Sequence, residues 1–146
     1  MKVLFVCTGN TCRSPMAESI LRDEAKKKNK DIEVSSAGIF AIDGDRASEE
    51  ARKAMKSRGG LSNHKSRFLS KELMDWADLI LVMTRSHKRN LLTRYPQMND
   101  KVYLLYDYAS GEDIDVDDPF GGPAEVYEVV RSQLEEAIEK ILDRMD

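Results

Sequence analysis

Apolar residues in this chain of 146 residues fall into short unbroken runs, separated by stretches in which they recur every three or four positions. Val3 to Val6 is such a run, and it reads as a strand covered on both faces. Ser14 then suits an N-cap and Pro15 a first helical residue. With Ala17, Ile20, Leu21 and Ala25 on one face, they predict a helix to about Lys28. Ile32 to Ser36 reads as a second strand, completing a strand-helix-strand unit whose crossover is normally right-handed. A loop is expected from Ala37 to Asp45, then a helix from about Ala47 to Arg58, stopped by Gly59-Gly60. Ser70 suits the cap of a short helix through Trp76, and Leu79 to Met83 reads as a third buried strand. A polar helix follows from about Arg85 toward Thr93, ending near Tyr95-Pro96, and Val102 to Leu105 supplies a fourth strand. After a long loop from Asp107 to Gly122, Pro123 opens a terminal helix. Its Val126, Val130, Leu134, Ala137, Ile138, Ile141 and Met145 repeat at helical spacing, as a core stripe does.

Strands alternating with helices predict an α/β fold, a single-domain three-layer sandwich with a parallel sheet between helices. One domain over residues 1–146 suffices, since the chain shows no repeat, low-complexity tract or linker. A 41% apolar and 34% charged composition describes a soluble globular protein. The net charge of -3 gives no reason to expect nucleic acid as a partner. The basic run Lys26-Lys27-Lys28-Asn29-Lys30 reads as a solvated helix end. Met1 to Val6 is too short for a signal-peptide core and no stretch approaches membrane-spanning length. A cytoplasmic address without membrane association is therefore the default. The composition carries no expectation about oligomeric state.

The segment Cys7-Thr8-Gly9-Asn10-Thr11-Cys12-Arg13-Ser14 changes the picture from fold to chemistry. It lies between the first strand and the first helix, at a C-terminal strand end where ligands gather in such sheets. A helix start offers unpaired N–H groups and the positive end of the peptide dipoles. Such surroundings can lower a thiol from about 8.5 to roughly 3.5–7.5, so Cys7 is expected to be a depressed, nucleophilic thiol. Arg13 adds a planar fork of donors suited to two oxygens of one phosphate. Other readings fail on spacing. Zinc sites use paired Cys/His elements, and Cys7, Cys12, His64 and His87 form no such pattern. A Walker-type loop ends in Gly-Lys-Ser/Thr, where this chain has Cys-Arg-Ser. The acidic stretch Asp113-x-Asp115-x-Asp117 lacks the glycine and the twelfth-position glutamate of a calcium loop. No metal and no cofactor are expected.

Cys7 to Pro15, together with Asp118-Pro119-Phe120-Gly121 and the Ser35-Ser36-Ala37-Gly38 turn, resembles the low-molecular-weight protein tyrosine phosphatase family over essentially the whole chain. The resemblance implies a four-stranded parallel sheet flanked by helices. It implies Cys7 as nucleophile, Arg13 as ligand of the equatorial phosphoryl oxygens and Asp118 as general acid and then base. Backbone N–H groups from Thr8 to Arg13, spanning Gly9, Asn10, Thr11 and Cys12, would complete the cradle. Ser14 matches the hydroxyl that bonds the nucleophilic sulfur, a role compatible with capping. Asn10 matches the residue whose side chain shapes the loop. Ser36 and His64 resemble its supports, although His64 also reads as an exposed loop histidine. Cys12 has two readings, a redox partner protecting Cys7 through a reversible disulfide or a buried thiol beneath the loop.

Two positions bear on the substrate, which is expected to be a phosphorylated protein. In tyrosine-directed relatives the position of Thr11 is usually larger and apolar, and that of Phe120 commonly tyrosine. Threonine here is the pattern of the protein arginine phosphatase branch. A phosphoarginine guanidinium offers N–H donors that Asp118 can pair with, whereas a phosphotyrosine ring offers none. Phe40 and Phe120 suit the walls of an entrance or caps on the core. The expectation is a phosphoarginine phosphatase, with phosphotyrosine the alternative. Arsenate reduction would need further cysteines, and none follows Cys12. A binding module without turnover would have lost the nucleophile or the acid.

Overall fold

The computed structural model describes residues 1–145. Four strands, β1 (Lys2–Cys7), β2 (Glu33–Gly38), β3 (Leu79–Val82) and β4 (Val102–Leu104), form one parallel sheet in the order β2-β1-β3-β4. Alternation along β1 divides the core. Val3 and Phe5 pack toward one face with α1 (Arg13–Lys27) and α6 (Ala124–Arg144). Leu4 and Val6 pack toward the other, with Met74 of α3 (Lys71–Trp76) and Leu91 of α4 (Arg85–Arg94). The three-layer architecture is the one the alternating pattern predicts. No described helix is long and apolar enough to cross a membrane.

The order places the site. From β1 the chain moves to β2 on one side and then returns to β3 on the other. The C-terminal end of β1 is therefore the switch point, with the Cys7 loop directly above it. Register sets Cys7 beside Gly38, and a Cβ on Gly38 would lie 2.5 Å from the Thr8 carbonyl oxygen and 2.9 Å from the Asn10 nitrogen. Glycine is required there because the phosphate loop presses on the end of β2.

Several boundaries differ from expectation. The first helix begins at Arg13 with Cys12 in the cap position and no side-chain cap bond, so Ser14 is not its N-cap. The Ser14 hydroxyl is engaged with Cys7 and Asn10 instead. The helix expected to Arg58 is a shorter α2 (Glu49–Ala54), capped by Ser48 and followed by a 3-10 turn at Lys56–Arg58. A second 3-10 turn, Pro96–Lys101, precedes β4. Leu105 is not a strand residue. It opens α5 (Leu105–Ser110), which shortens the expected loop, and a left-handed Gly111 terminates it. Pro123 caps the last helix rather than starting it.

Candidate active site

Loop residues 7–14 are held from every side. Asn10 is fully buried and left-handed, with φ of 56°, a conformation that asparagine tolerates better than most residues. Its Nδ2 donates to Ser14 Oγ at 2.8 Å and to Ser36 Oγ at 2.9 Å, and its Oδ1 accepts the Arg67 N–H at 2.9 Å. Its carbonyl oxygen lies 2.8 Å from His64 Nε2, which places His64 against the loop rather than free in solvent. The Thr8 carbonyl accepts the Phe40 N–H and the Thr11 carbonyl accepts the Ser48 N–H, each at 2.9 Å. These bonds tie three loop carbonyls and the Asn10 side chain to their surroundings.

Glu18, which no motif in the sequence singles out, ends this network. Ser36 Oγ donates to Glu18 Oε1 at 2.5 Å. A carboxylate only accepts, so Ser36 spends its hydrogen there and accepts from Asn10, whose second amide hydrogen goes to Ser14. Ser14 is left to donate to Cys7 Sγ, 2.8 Å away. The chain of bonds from Glu18 through Ser36 and Asn10 thus leaves the Ser14 hydrogen directed at the sulfur.

Cys7 itself is buried. Burial pushes its thiol up from the ordinary value, against the Ser14 hydroxyl, the Ser14 N–H, Arg13 and the Asn10 N–H, all of which favour the thiolate. The expected depression of the Cys7 thiol is therefore corrected. Loss of hydration outweighs the donors at a sulfur that faces the core, as desolvation does for any buried acid.

Arg13 is 4% exposed, and its guanidinium links both walls of the site. Nη1 donates to the Val116 carbonyl at 3.1 Å and Nη2 lies 3.7 Å from Asp118 Oδ2. Val116 is in turn tied to the end of β3, its N–H donating to the Met83 carbonyl at 2.9 Å. The Asp118 side chain is 60% exposed, and its Oδ1 accepts the Phe120 N–H at 3.0 Å, turning the carboxylate back toward the loop. Phe40 and Phe120 are exposed, which removes the core-cap reading for both. Their backbones bond Thr8 and Asp118, so they flank the cradle.

Cys12 is buried, with Sγ 3.4 Å from Ser48 Oγ and 3.6 Å from Tyr127 Oη, and both cysteines are free thiols. A further residue, weighed in the sequence only as a zinc ligand, is His87, whose Nε2 is 2.7 Å from Thr8 Oγ1. Burial, then Arg13, pushes its pKa down to about 4, while Asp115 and Asp118 pull it upward. Its signal in the sequence was placement: a histidine one turn into the helix after β3, beside β1. A surface cavity of about 620 Å³ lies elsewhere, bounded by Glu18, Arg22, His64 and Arg67 behind Asn10. The site is therefore marked by donors and not by volume. A buried sulfur, a guanidinium and an exposed carboxylate around an anion cradle can together take a phosphoryl group, hold it and pass it to water.

The sequence profile of the low molecular weight phosphotyrosine protein phosphatase family matches residues 2–146. A protein-arginine-phosphatase of Geobacillus stearothermophilus is 44% identical over 144 residues, which are 99% of this chain and 95% of that protein. The low molecular weight protein-tyrosine-phosphatase PtpB of Staphylococcus haemolyticus is 41% identical over 134 residues, 92% of each chain. A solved structure of YwlE arginine phosphatase, a C7S mutant with a phosphorylated active-site serine, superposes with a TM-score of 0.96 at 39% identity. It covers 99% of this chain and 95% of the other.

Proposed function

The chain belongs to the low molecular weight phosphotyrosine protein phosphatase family and is a cysteine-dependent phosphatase, and from that premise we propose that it hydrolyses phosphoarginine on proteins. The observation that carries this reading is the position of Asp118. Its exposed carboxylate already reaches within 3.7 Å of one guanidinium, that of Arg13. A phosphoarginine side chain entering between Phe40 and Phe120 brings a second guanidinium, with N–H donors for the remaining carboxylate lone pairs. Thr11 is stiff at its first side-chain torsion, and in this reading its methyl serves as a fixed wall for the leaving group. The relatives named as arginine phosphatases support the same reading.

In the proposed reaction Cys7 reacts as the thiolate, the form that the Ser14 hydroxyl, the Ser14 and Asn10 N–H groups and Arg13 favour against burial, and attacks phosphorus, forming an S–P bond as the P–N bond breaks. Asp118 delivers its proton to the departing nitrogen. Arg13 and the loop N–H groups stabilise the charge on the equatorial oxygens. In the second step Asp118, now a carboxylate, takes a proton from water as that water attacks phosphorus. The S–P bond breaks, orthophosphate leaves and the thiolate returns. Ser14 donates to the sulfur in both steps.

The reading is tested with matched phosphoarginine and phosphotyrosine peptides. The expected outcome is a higher kcat/KM on phosphoarginine. A preference for phosphotyrosine would support the tyrosine phosphatase reading, which the similarity to PtpB favours. Residence in the cytoplasm belongs to the same proposal and rests on the sequence reading alone.

A further inference from the structure

His87 occupies the first turn of α4, where Thr84 caps the helix by accepting the His87 N–H at 3.1 Å. Three observations define its state. The ring is 7% exposed. Nε2 is 2.7 Å from Thr8 Oγ1, while Nδ1 is buried with no hydrogen-bond partner among the described residues. The charged groups acting on it are Arg13, which disfavours a cation, and the carboxylates of Asp115 and Asp118, which favour one. Asp115 is already committed, accepting the Arg85 N–H at 2.8 Å and pairing with the Arg85 guanidinium.

Charge and hydrogen-bond inventory then fix the tautomer. A cation is unfavourable at a helix N-terminus and beside Arg13, so the ring is neutral. A neutral imidazole carries one hydrogen. On Nδ1 that hydrogen would be a buried donor without an acceptor, which native structures rarely leave. On Nε2 it donates to Thr8 Oγ1. The Thr8 hydroxyl, having accepted there, keeps its own hydrogen free, and no described residue takes it. Thr8 follows the nucleophile directly and is exposed at the rim of the cradle.

We propose that His87 is a positioning residue that turns the Thr8 hydroxyl into an added donor for the phosphoryl group. The proposal rests on the reading of this loop as the phosphoryl site. His87 does not touch the substrate. It fixes the rotamer of Thr8 and occupies the lone pair that water would otherwise take, so that the hydroxyl hydrogen points away from α4 into the mouth. Asn10, Cys12, Arg13 and Ser14 are engaged by the scaffold, and Thr11 Oγ1 has only Cys12 Sγ at 3.8 Å, so of the two loop threonines Thr8 is the one whose oxygen the scaffold holds in place while its hydrogen stays uncommitted among the described residues.

Inorganic phosphate is the probe, used as a competitive inhibitor of para-nitrophenyl phosphate turnover. Thr8→Val keeps the shape and removes the hydroxyl, and is expected to raise the phosphate Ki about tenfold, the worth of a hydrogen bond to a charged group. His87→Leu is expected to raise Ki similarly, and the double variant no further, because both act through one hydroxyl. His87→Gln retains a donor in reach of Thr8 and is expected to recover much of the affinity. Unchanged Ki in Thr8→Val would overturn the proposal, as would additive losses in the double variant. Glutamine no better than leucine at position 87 would also overturn it, since it would mark a packing role. Wild type without any turnover of the phosphate ester would instead strike the functional reading beneath it.

Discussion

Asn10 and Asp118 stand on opposite walls of one site and are held in opposite ways. Asn10 has no exposed surface and is tied to Ser14, Ser36, His64 and Arg67. Asp118 is exposed, bonded to the Phe120 N–H within its own turn and to Arg13 only at 3.7 Å. The wall that binds phosphate must present fixed donors, because preorganisation lowers the cost of meeting charge in the transition state. The wall that reads the leaving group must protonate one species and deprotonate another, and a lightly held carboxylate can do both. In the proposed mechanism, rigidity and exposure divide two chemical duties between the loop after β1 and the loop before α6.

That division can be broken from either side. The largest effect is expected for Cys7→Ser, which removes the sulfur while keeping the donors. Turnover should fall on the order of 10³-fold or more, with phosphate still bound. Asp118→Asn should lower the rate about 10²–10³-fold on a poor leaving group and far less on an activated aryl phosphate. Because Asp118 is exposed, its Tm should stay within a degree or two, roughly, of wild type.

A third test concerns what holds the rigid wall. His87 has a pKa of about 4 in the fold against an ordinary 6.5. Between those values the unfolded chain binds a proton that the folded chain does not. The His87 contribution is therefore fully present above pH 6.5 and is lost as the pH falls toward 4, by at most about 3 kcal/mol. Urea unfolding at pH 7 and pH 4 should show a smaller pH dependence in His87→Gln than in wild type. Equal dependence would mean that the carboxylates alone carry the acid sensitivity. A loss of stability of similar size is expected at the contact between β2 and the loop. Gly38→Ala adds a methyl 2.5 Å from the Thr8 oxygen and should cost about 1–3 kcal/mol of stability. Activity lost in step with stability would place the strain in the loop itself.

Particular residues explain what could be seen in the sequence. Val3 to Val6 and Leu79 to Val82 are unbroken apolar runs, and they are the two inner strands. The Cys7 to Arg13 spacing was legible because covalent proximity puts nucleophile, cradle and guanidinium in one loop. Asp118 stood out from neighbouring acids only through Asp118-Pro119-Phe120-Gly121 and the resemblance it carries. Glu18 and His87 were not legible, since each looks like ordinary polar helix surface until the sheet order brings it to the loop. Helix α5 was missed because Leu105–Ser110 spans less than two turns and shows no periodic stripe. The Cys7 thiol was misjudged for a related reason. Donors can be counted in a sequence, whereas the burial that outweighs them depends on packing.

The central claim is that the site selects phosphoarginine, Asp118 pairing with its guanidinium and Thr11 narrowing the approach to it. The direct measurement is the ratio of kcat/KM on matched phosphoarginine and phosphotyrosine peptides for wild type and Thr11→Ile. A ratio above one in wild type that falls below one in Thr11→Ile is the predicted result. A ratio that Thr11→Ile leaves unchanged would contradict the account.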